Sequence, residues 1–302
     1  MAALAAEPRP ASLPLPRGQP DATVRLTPLL VATRAAPPIV GRRDGGRLDM
    51  LKAVGLGVSR ADYVREPVPA FLVEHPGAGP LLIDTGFHTA VAVDPKQGVG
   101  RLGGLIFKDL EMDAGQAVIS QLRDREVDPA DVGTVVMTHL HADHASGIAE
   151  FPAATFVVSQ AEWDSASEGG ERDGYLRRQF DHAFDYRTLD FESSDTDSFA
   201  TFGRAYDLFG DGSVRICFTP GHTAGHCSVV LRLRDREALI CGDAALTMDA
   251  IRQSWIPLLM ADEHRYRRSL REIQLYIERT PGALVIPGHD METWKTLQNS
   301  YS

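Results

Sequence analysis

A segment near the middle of the chain concentrates side chains that bind metal ions. Residues 138–144 read Thr-His-Leu-His-Ala-Asp-His, which places three imidazoles and one carboxylate within six positions. Three distant segments each end an apolar run with one further side chain of this kind, namely His222, Asp243 and His289. Neutral imidazole and carboxylate are ligands for zinc and its first-row neighbours, and seven of them exceed what one tetrahedral ion uses. The sequence therefore predicts two metal ions side by side.

The spacing of these residues indicates how they divide between the two ions. His139 and His141 are two positions apart, so an extended turn can direct both at one ion. A carboxylate can place one oxygen on each of two ions, which makes Asp243 the predicted bridge. The predicted ligands are His139, His141 and His222 for the first ion, Asp143, His144 and His289 for the second, and Asp243 together with a hydroxide for both.

Composition narrows the class of protein. At 302 residues with 43% hydrophobic residues, the chain can bury an ordinary globular core. Its net charge of -10 provides no basic surface, so we expect a neutral small-molecule substrate and no nucleic-acid partner. No stretch approaches the roughly 18 apolar residues of a membrane span, and residues 1–22 carry five prolines instead of a signal peptide's apolar region. We therefore expect a cytoplasmic protein without membrane contact, and a homodimer is the candidate assembly.

The ligand positions argue for one catalytic domain. They extend from the central cluster to His289, so a domain boundary between these points would divide the site. We expect a single domain over residues 22–302, preceded by an Ala/Pro-rich leader, residues 1–21, that is disordered or extended. Residues 87–113 and 161–205 fit a regular pattern of strands and helices poorly. Such insertions are commonly lids or binding loops, and a dimer contact or an accessory helical cover is an equally open alternative.

Short β-branched and aliphatic runs predict strands, and two segments with apolar residues every three or four positions predict helices. The predicted strands are residues 24–31, 68–74, 81–84, 133–138, 214–218, 238–242 and 283–286, and the predicted helices are residues 114–125 and 262–279. Strands that alternate with helices, with candidate ligands directly after several strands, indicate a layered α/β fold. Its site is expected at one rim of the sheets.

The central motif resembles the HxHxDH signature of the metallo-β-lactamase superfamily, which stands here as His139-Leu140-His141-Ala142-Asp143-His144. The resemblance covers residues 62–297 and includes the earlier element Asp84-Thr85-Gly86. It implies an α/β (α+β) fold, specifically an αβ/βα sandwich of two mixed β-sheets flanked by helices, with a dinuclear site at the sheet edge. It also implies that Asp84 orients the ligands and does not bind a metal itself.

Differences from individual branches of the superfamily narrow the expected activity. The commonest type of β-lactamase has a cysteine ligand where this chain has Asp243, which argues against antibiotic hydrolysis. Glyoxalase-II-like enzymes carry a further helical domain, for which this chain offers 13 residues beyond His289. Flavin-dependent di-iron relatives usually replace one histidine with a carboxylate and append a flavin module, and neither feature is present in the sequence. The chain is most similar to the N-acyl-homoserine lactonase group, in length and in its tail, Pro287-Gly288-His289-Asp290 followed by Trp294.

One position departs from the lactonase pattern. Many such lactonases carry a tyrosine three positions after the bridging aspartate, where it assists the carbonyl oxygen, and Leu246 stands there in this chain. Stabilisation of the oxyanion would then depend on the metal or on another donor. Thr223 and His226, which follow His222, are candidates for supporting the ligands from behind, and a purely structural role is as open for each.

The resemblance implies a dinuclear metal-dependent hydrolase that opens a lactone ring of the N-acyl-homoserine lactone type. A metal-bridging hydroxide would attack the carbonyl, and Asp143 is the candidate catalytic residue that carries the proton, with ligation alone as its alternative role. The two divalent ions are expected to be zinc, with manganese, cobalt or iron as alternatives. Hydrolysis of another ester, thioester or phosphotriester is an open alternative, and a mono-iron enzyme of the persulfide-dioxygenase kind is a less favoured one.

Overall fold

A computed structural model describes residues 4–302 and contains fourteen strands and ten α-helices within that range. The strands are β1 (Arg9–Pro10), β2 (Arg25–Ala36), β3 (Val64–His75), β4 (Gly79–Ile83), β5 (Lys108–Glu111), β6 (Thr134–Val136), β7 (Thr155–Ser159), β8 (Asp185–Leu189), β9 (Asp197–Phe199), β10 (Phe202–Asp207), β11 (Val214–Phe218), β12 (Cys227–Arg232), β13 (Glu237–Gly242) and β14 (Leu284–Pro287). The helices are α1 (Pro38–Gly41), α2 (Asp49–Ala53), α3 (Lys96–Ile106), α4 (Val118–Arg123), α5 (Ala142–Ala145), α6 (Gln160–Glu168), α7 (Arg177–Phe180), α8 (Met248–Gln253), α9 (Glu263–Arg279) and α10 (Met291–Trp294).

Two mixed sheets form the centre of the fold. The first has eight strands in the order β1-β8-β7-β6-β4-β3-β2-β5, and the second has six in the order β14-β13-β12-β11-β10-β9. In the first sheet β4, β6, β7 and β8 run parallel to one another, whereas β2, β3 and β4 pair antiparallel. In the second sheet β13 and β14 run parallel. The residues that follow parallel neighbours emerge at the same edge of a sheet, and this places the candidate ligands together.

The alternation of side chains along the strands builds three hydrophobic layers. Val136 of β6 and Ile240 of β13 belong to the layer between the two sheets. Their neighbours Val135 and Leu239 point to the opposite faces and pack in two outer layers beneath helices. Helix α9 covers the second sheet with its buried residues Tyr266, Leu270, Ile273 and Tyr276. The order helix, sheet, sheet, helix confirms the αβ/βα sandwich with two mixed sheets.

The predicted elements are found with shifted bounds, and one of them is divided. The predicted helix over residues 114–125 consists of a 3-10 turn, Ala114–Gln116, followed by α4. Ala117 separates the two because its ψ of 141° is extended and interrupts the helical backbone. The predicted helix over residues 262–279 corresponds to α9.

The two segments that fit the sequence pattern poorly contain regular structure. Residues 87–113 include α3 and β5. Residues 161–205 include most of α6, all of α7, β8 and β9, and the first part of β10. Aromatic residues scattered along the second segment pack together: Trp163 lies 5.8 Å from Phe180 and 4.7 Å from Tyr186, measured between ring centroids. This packing joins residues far apart in sequence, so periodicity along the chain does not reveal it.

The described part of the leader extends the edge of the first sheet and contacts the end of β10 in the second sheet. Arg9–Pro10 pairs parallel with β8, and the backbone N–H of Leu15 donates to the carbonyl oxygen of Leu208 at 2.7 Å. Residues 1–3 of the predicted leader lie outside the described residues. Among residues 4–302, no helix combines the length and the apolar character needed to cross a membrane.

Candidate metal centre

The histidine-rich turn begins where β6 ends. Asp84, directly after the parallel neighbour β4, accepts hydrogen bonds from the backbone N–H and from the hydroxyl of Thr138, both at 2.7 Å. Asp84 has a φ of 57°, in the left-handed region that non-glycine residues seldom adopt. Such strain persists where surrounding contacts impose it. The aspartate thereby holds the first residue of the turn from which the ligands project.

Three loops of the second sheet supply the remaining candidates. His222 follows β11, and Asp243 and His289 follow the parallel strands β13 and β14. The loop before His222 needs a glycine, because Gly221 has a φ of 135° and a Cβ there would overlap the backbone of Tyr266 at the start of α9. The parallel pairing brings Oδ1 of Asp243 to 3.1 Å from Nε2 of His289.

Asp243 lies at the centre of the cluster, and its two oxygens face different histidines. Oδ2 is 3.1 Å from Nε2 of His222 and 4.0 Å from Nε2 of His139. Oδ1 is 3.5 Å from Nε2 of His144 and 3.1 Å from Nε2 of His289. One carboxylate oxygen therefore lies beside each predicted set, as a bridging role requires.

The structure brings all seven candidate ligands into this cluster. Nδ1 of His141 is 3.0 Å from Nε2 of His222, and Oδ2 of Asp143 is 3.4 Å from Nε2 of His289. These side chains form three overlapping groups of three residues, and within each group one ligand atom per residue lies within 4.8 Å of the others. The first group is His139, His141 and His222, the second is His139, His144 and Asp243, and the third is Asp143, His144 and His289. The first and third groups are the two histidine-containing sets expected from the sequence.

In three histidines, the ring nitrogen that faces away from the cluster contacts an oxygen atom. The other ring nitrogen, which faces the cluster, is left for another partner. The pairs are His144 Nδ1 with Asp84 Oδ2 at 2.8 Å, His289 Nδ1 with the carbonyl of Pro67 at 2.8 Å, and His141 Nε2 with the carbonyl of Asp173 at 2.9 Å. An N–H that donates outward fixes the tautomer, so the lone pair of the other nitrogen points into the cluster.

Several atoms that point into the cluster are buried without a hydrogen-bond partner in the described part of the chain. They include Nε2 of His139, Nε2 of His144 and Oδ1 of Asp243. A buried polar atom without a partner costs free energy, and divalent cations bound within the cluster would satisfy all three. The residues present therefore fit bound metal.

Residues 63–289 match the family model described as the metallo-beta-lactamase superfamily. The chain belongs to the metallo-β-lactamase superfamily. The resemblance inferred from the HxHxDH motif is thus confirmed, and the histidine and aspartate cluster is the candidate site for divalent metal.

Several relatives share most of the chain. The N-acyl homoserine lactonase AttM of Azorhizobium caulinodans is 35% identical over 80% of this chain and 88% of its own length. The N-acyl homoserine lactonase of Bacillus cereus is 24% identical over 76% of this chain and 83% of its own. Among solved structures, the F107W mutant of AiiA from B. thuringiensis with bound N-decanoyl-L-homoserine aligns with a TM-score of 0.73, at 19% identity, over 91% of this chain and 97% of that one. The expected likeness to the lactonase group is confirmed.

The histidines of this superfamily member differ in their protonation when no metal is bound. Burial and the neighbouring imidazoles lower the pKa of His139 well below its ordinary value, and burial lowers the pKa of His141 to about 3. Burial opposes the charged form of His144 and His289 as well, but nearby carboxylates outweigh it and raise the pKa of both. His139 and His141 are therefore neutral, whereas His144 and His289 hold protons more strongly than free imidazole.

Arg34 is a site residue that the sequence analysis missed. Its guanidinium donates to Asp143 and to Glu66, lies 3.2 Å from Nε2 of His289 through Nη2, and stacks 3.8 Å above the ring of Phe107. Burial raises the pKa of Asp143, but the charges of Arg34, His144 and His289 together outweigh burial and hold that pKa below its ordinary value. Arg34 and Glu66 are direct partners across β2 and β3. In the sequence, the signal for this pair is one charged residue within each of the two apolar strands. Whether the two residues pair depends on the register between β2 and β3.

The two supporting candidates near His222 have distinct contacts. His226 accepts a hydrogen bond at Nε2 from the backbone N–H of Asp243, at 2.8 Å, so it supports Asp243 from behind. Burial lowers the pKa of His226, which keeps this nitrogen an acceptor. Thr223 donates instead to Glu162, a buried carboxylate of α6 that the sequence analysis also missed.

A cavity of about 550 Å³ opens above the metal cluster. His141, Asp143, His222 and Asp243 line its base. Its apolar wall is formed by Val40, Val99, Phe107, Leu246, Leu258 and Met260. Residues from both segments that fit the sequence pattern poorly, 87–113 and 161–205, line the cavity. The arrangement combines a polar, metal-binding base with an apolar wall, as is typical of a small-molecule site.

Proposed function

We propose that the chain is a dinuclear metal-dependent hydrolase that opens the lactone ring of N-acyl-homoserine lactones. The observation that carries the proposal is the position of Asp243, whose two oxygens lie beside two separate sets of metal-binding side chains. The relatives named as N-acyl homoserine lactonase AttM match four fifths of the chain at about one third identity, which supports the substrate class.

The proposed ligands are those predicted from the sequence, with zinc as the proposed metal. His139, His141 and His222 would hold the first ion, Asp143, His144 and His289 would hold the second, and Asp243 would offer one carboxylate oxygen to each set. When bound, such ions lower the pKa of a shared water to about 7 and polarise the substrate carbonyl. Six of these residues are buried and His141 is partly buried, so few water molecules compete for the ligand atoms.

Asp143 is the proposed catalytic residue for proton transfer. Arg34 keeps its carboxylate ionised, so it can accept the proton of the attacking hydroxide. It then delivers that proton to the ring oxygen as the carbon–oxygen bond of the lactone breaks, which yields the N-acyl-homoserine. The proton and the electron pair of the broken bond both end on the new hydroxyl group.

The cavity suits the rest of this substrate. Its apolar wall can receive an acyl chain while the base holds the lactone carbonyl over the metal cluster. The net charge of the chain, -10, favours a neutral lactone over an anionic ester. A cytoplasmic location and a homodimer remain predictions from the sequence.

A pH-indicator assay of the zinc-loaded protein tests the proposal. N-acyl-homoserine lactones of several chain lengths are compared with aryl esters and phosphotriesters, and we expect acid release to be fastest with the lactones. Asp243→Asn removes the charge of the bridge and is expected to abolish turnover and lower the bound zinc below two ions per chain. His264→Ala changes an exposed histidine of α9 and serves as the matched control with unchanged activity. Turnover of the other esters without any lactone hydrolysis would refute the substrate class.

A further inference from the structure

Glu162 is a fully buried carboxylate that the proposed reaction does not use. Its Oε1 accepts hydrogen bonds from the backbone N–H of Leu140 at 2.9 Å and from the hydroxyl of Tyr175 at 3.2 Å. Its Oε2 accepts from the hydroxyl of Thr223 at 2.5 Å and from the backbone N–H of Gly225 at 3.2 Å. One side chain therefore connects three separate segments.

The partners of Glu162 adjoin the ligands of one proposed ion. Leu140 lies between His139 and His141, and Thr223 directly follows His222. The carboxylate thus joins the two loops that carry all three histidines of the first set. The ligands of the second set have other supports, namely Asp84 behind His144, Arg34 behind Asp143 and Pro67 behind His289.

Close packing strengthens this connection. A Cβ at Gly225 would overlap the backbone of Glu162, so the loop after His222 lies directly on α6. The ring of Tyr175 lies 5.1 Å from the ring of His141, between centroids, while its hydroxyl reaches Glu162. Each contact that Glu162 makes therefore restrains a neighbour of a first-set histidine.

The chemistry of the four contacts requires a carboxylate. All four partners are neutral donors, and burial raises the pKa of Glu162, so the charge is costly to keep without them. An isosteric glutamine offers one accepting oxygen and one NH₂ group. The NH₂ group would face either the donors from Leu140 and Tyr175 or the donors around Thr223 and Gly225, and a backbone N–H would lose its acceptor in both cases.

We propose that Glu162 is a positioning residue for the first metal ion, because it holds the turn of His139 and His141 against the loop of His222. The proposal rests on the dinuclear site of the proposed function. It predicts that Glu162 increases the affinity of the chain for the first ion and leaves its affinity for the second ion unchanged. A residue that supports the fold in general would affect both ions.

Two variants, each with only one complete set of proposed ligands, distinguish an effect on the first ion from general support of the fold. His289→Ala leaves the first set complete, and His222→Ala leaves the second set complete. Glu162→Gln is introduced into each, and Co²⁺ is titrated by its visible absorption. We expect the Co²⁺ affinity to fall about 10- to 100-fold in the H289A background and to stay within about twofold in the H222A background. Asp84→Asn, which removes the charge behind His144, is the matched control and is expected to have its larger effect in the H222A background.

A second pair of variants keeps the test decisive if E162Q folds poorly by circular dichroism. Thr223→Val removes one donor to Glu162 and is expected to weaken Co²⁺ binding in the H289A background, whereas Thr223→Ser retains the hydroxyl and is expected to restore it. Equal losses in the two backgrounds, or no loss in H289A, would overturn the role of Glu162. Binding of fewer than two Co²⁺ ions by the unmodified chain would instead overturn the dinuclear site itself.

Discussion

Arg34 and Asp143 form a buried ion pair at the edge of the metal cluster, with Nη1 2.6 Å from Oδ2 and side chains that are 5% and 11% exposed. The same guanidinium is paired with Glu66 at 3.0 Å. The arginine therefore compensates two buried carboxylates, one of which is a proposed ligand. Strand β2, which carries no proposed ligand, in this way stabilises the charge of Asp143 in the second set.

Replacement of Arg34 is expected to destabilise the protein strongly. Arg34→Met leaves Glu66 buried without its partner, and the loss of one member of a buried pair typically costs about 3–5 kcal/mol. The free energy of unfolding, measured with urea, should fall by this amount. The double variant R34M/E66Q should lose less, because one of the two uncompensated charges is removed. If the double variant were less stable than R34M, the pairing of these two charges would not explain the loss.

Metal binding is expected to release protons at neutral pH, above the ordinary pKa of imidazole. The raised pKa values of His144 and His289 mean that both bind protons more tightly than free imidazole in the metal-free protein, and a metal must displace these protons. The affinity for Zn²⁺ should therefore weaken as the pH falls. His139 and His141, whose pKa values are lowered, are already neutral and release none.

Calorimetry of Zn²⁺ binding in two buffers of different ionisation enthalpy measures this proton release. Asp84→Asn removes a charge that raises the pKa of His144 and should reduce the number of protons released. Binding of Zn²⁺ at neutral pH without proton release would contradict the assignment of the protons to these histidines.

A tyrosine at position 246 is expected to increase turnover. Leu246 lines the cavity three positions after Asp243, and Leu246→Tyr would add a hydroxyl that can donate to the developing oxyanion. We expect kcat for lactones to rise by about tenfold, since a single oxyanion donor is worth about 10²–10³ in established sites. Leu246→Phe matches the ring without the hydroxyl and should leave kcat unchanged. The same rise in both variants would assign the effect to packing.

Gly221→Ala is expected to damage both stability and metal binding. The new Cβ would overlap the backbone of Tyr266 and occupy a left-handed conformation, so the loop of His222 must move. The free energy of unfolding should fall by about 3 kcal/mol, and the bound metal should fall towards one ion per chain. Gly282→Ala is the control, because Gly282 has a φ of 93° with no atom within 4 Å of its added Cβ, and its cost should be about 1 kcal/mol. A similar loss in the two variants would mean that conformation alone, without the contact to Tyr266, governs the effect.

The sequence by itself determined the fold class and the candidate ligands. Metal-binding residue types are recognisable one by one, and their place after apolar runs follows from the local pattern of each strand. Because parallel strands end at the same edge, residues such as Asp243 and His289 could be expected to meet. The HxHxDH spacing added a resemblance that the family model confirms.

Only the tertiary structure decided which residues support the ligands. The pairing of Arg34 with Glu66 depends on the register of β2 and β3, and the contacts of Glu162 depend on how α6 packs on the loop after His222. Such contacts join residues that are distant in sequence, and a one-residue change of register would redirect every side chain of a strand. Local patterns carry no information on this choice, because packing and hydrogen bonding across the whole domain determine it.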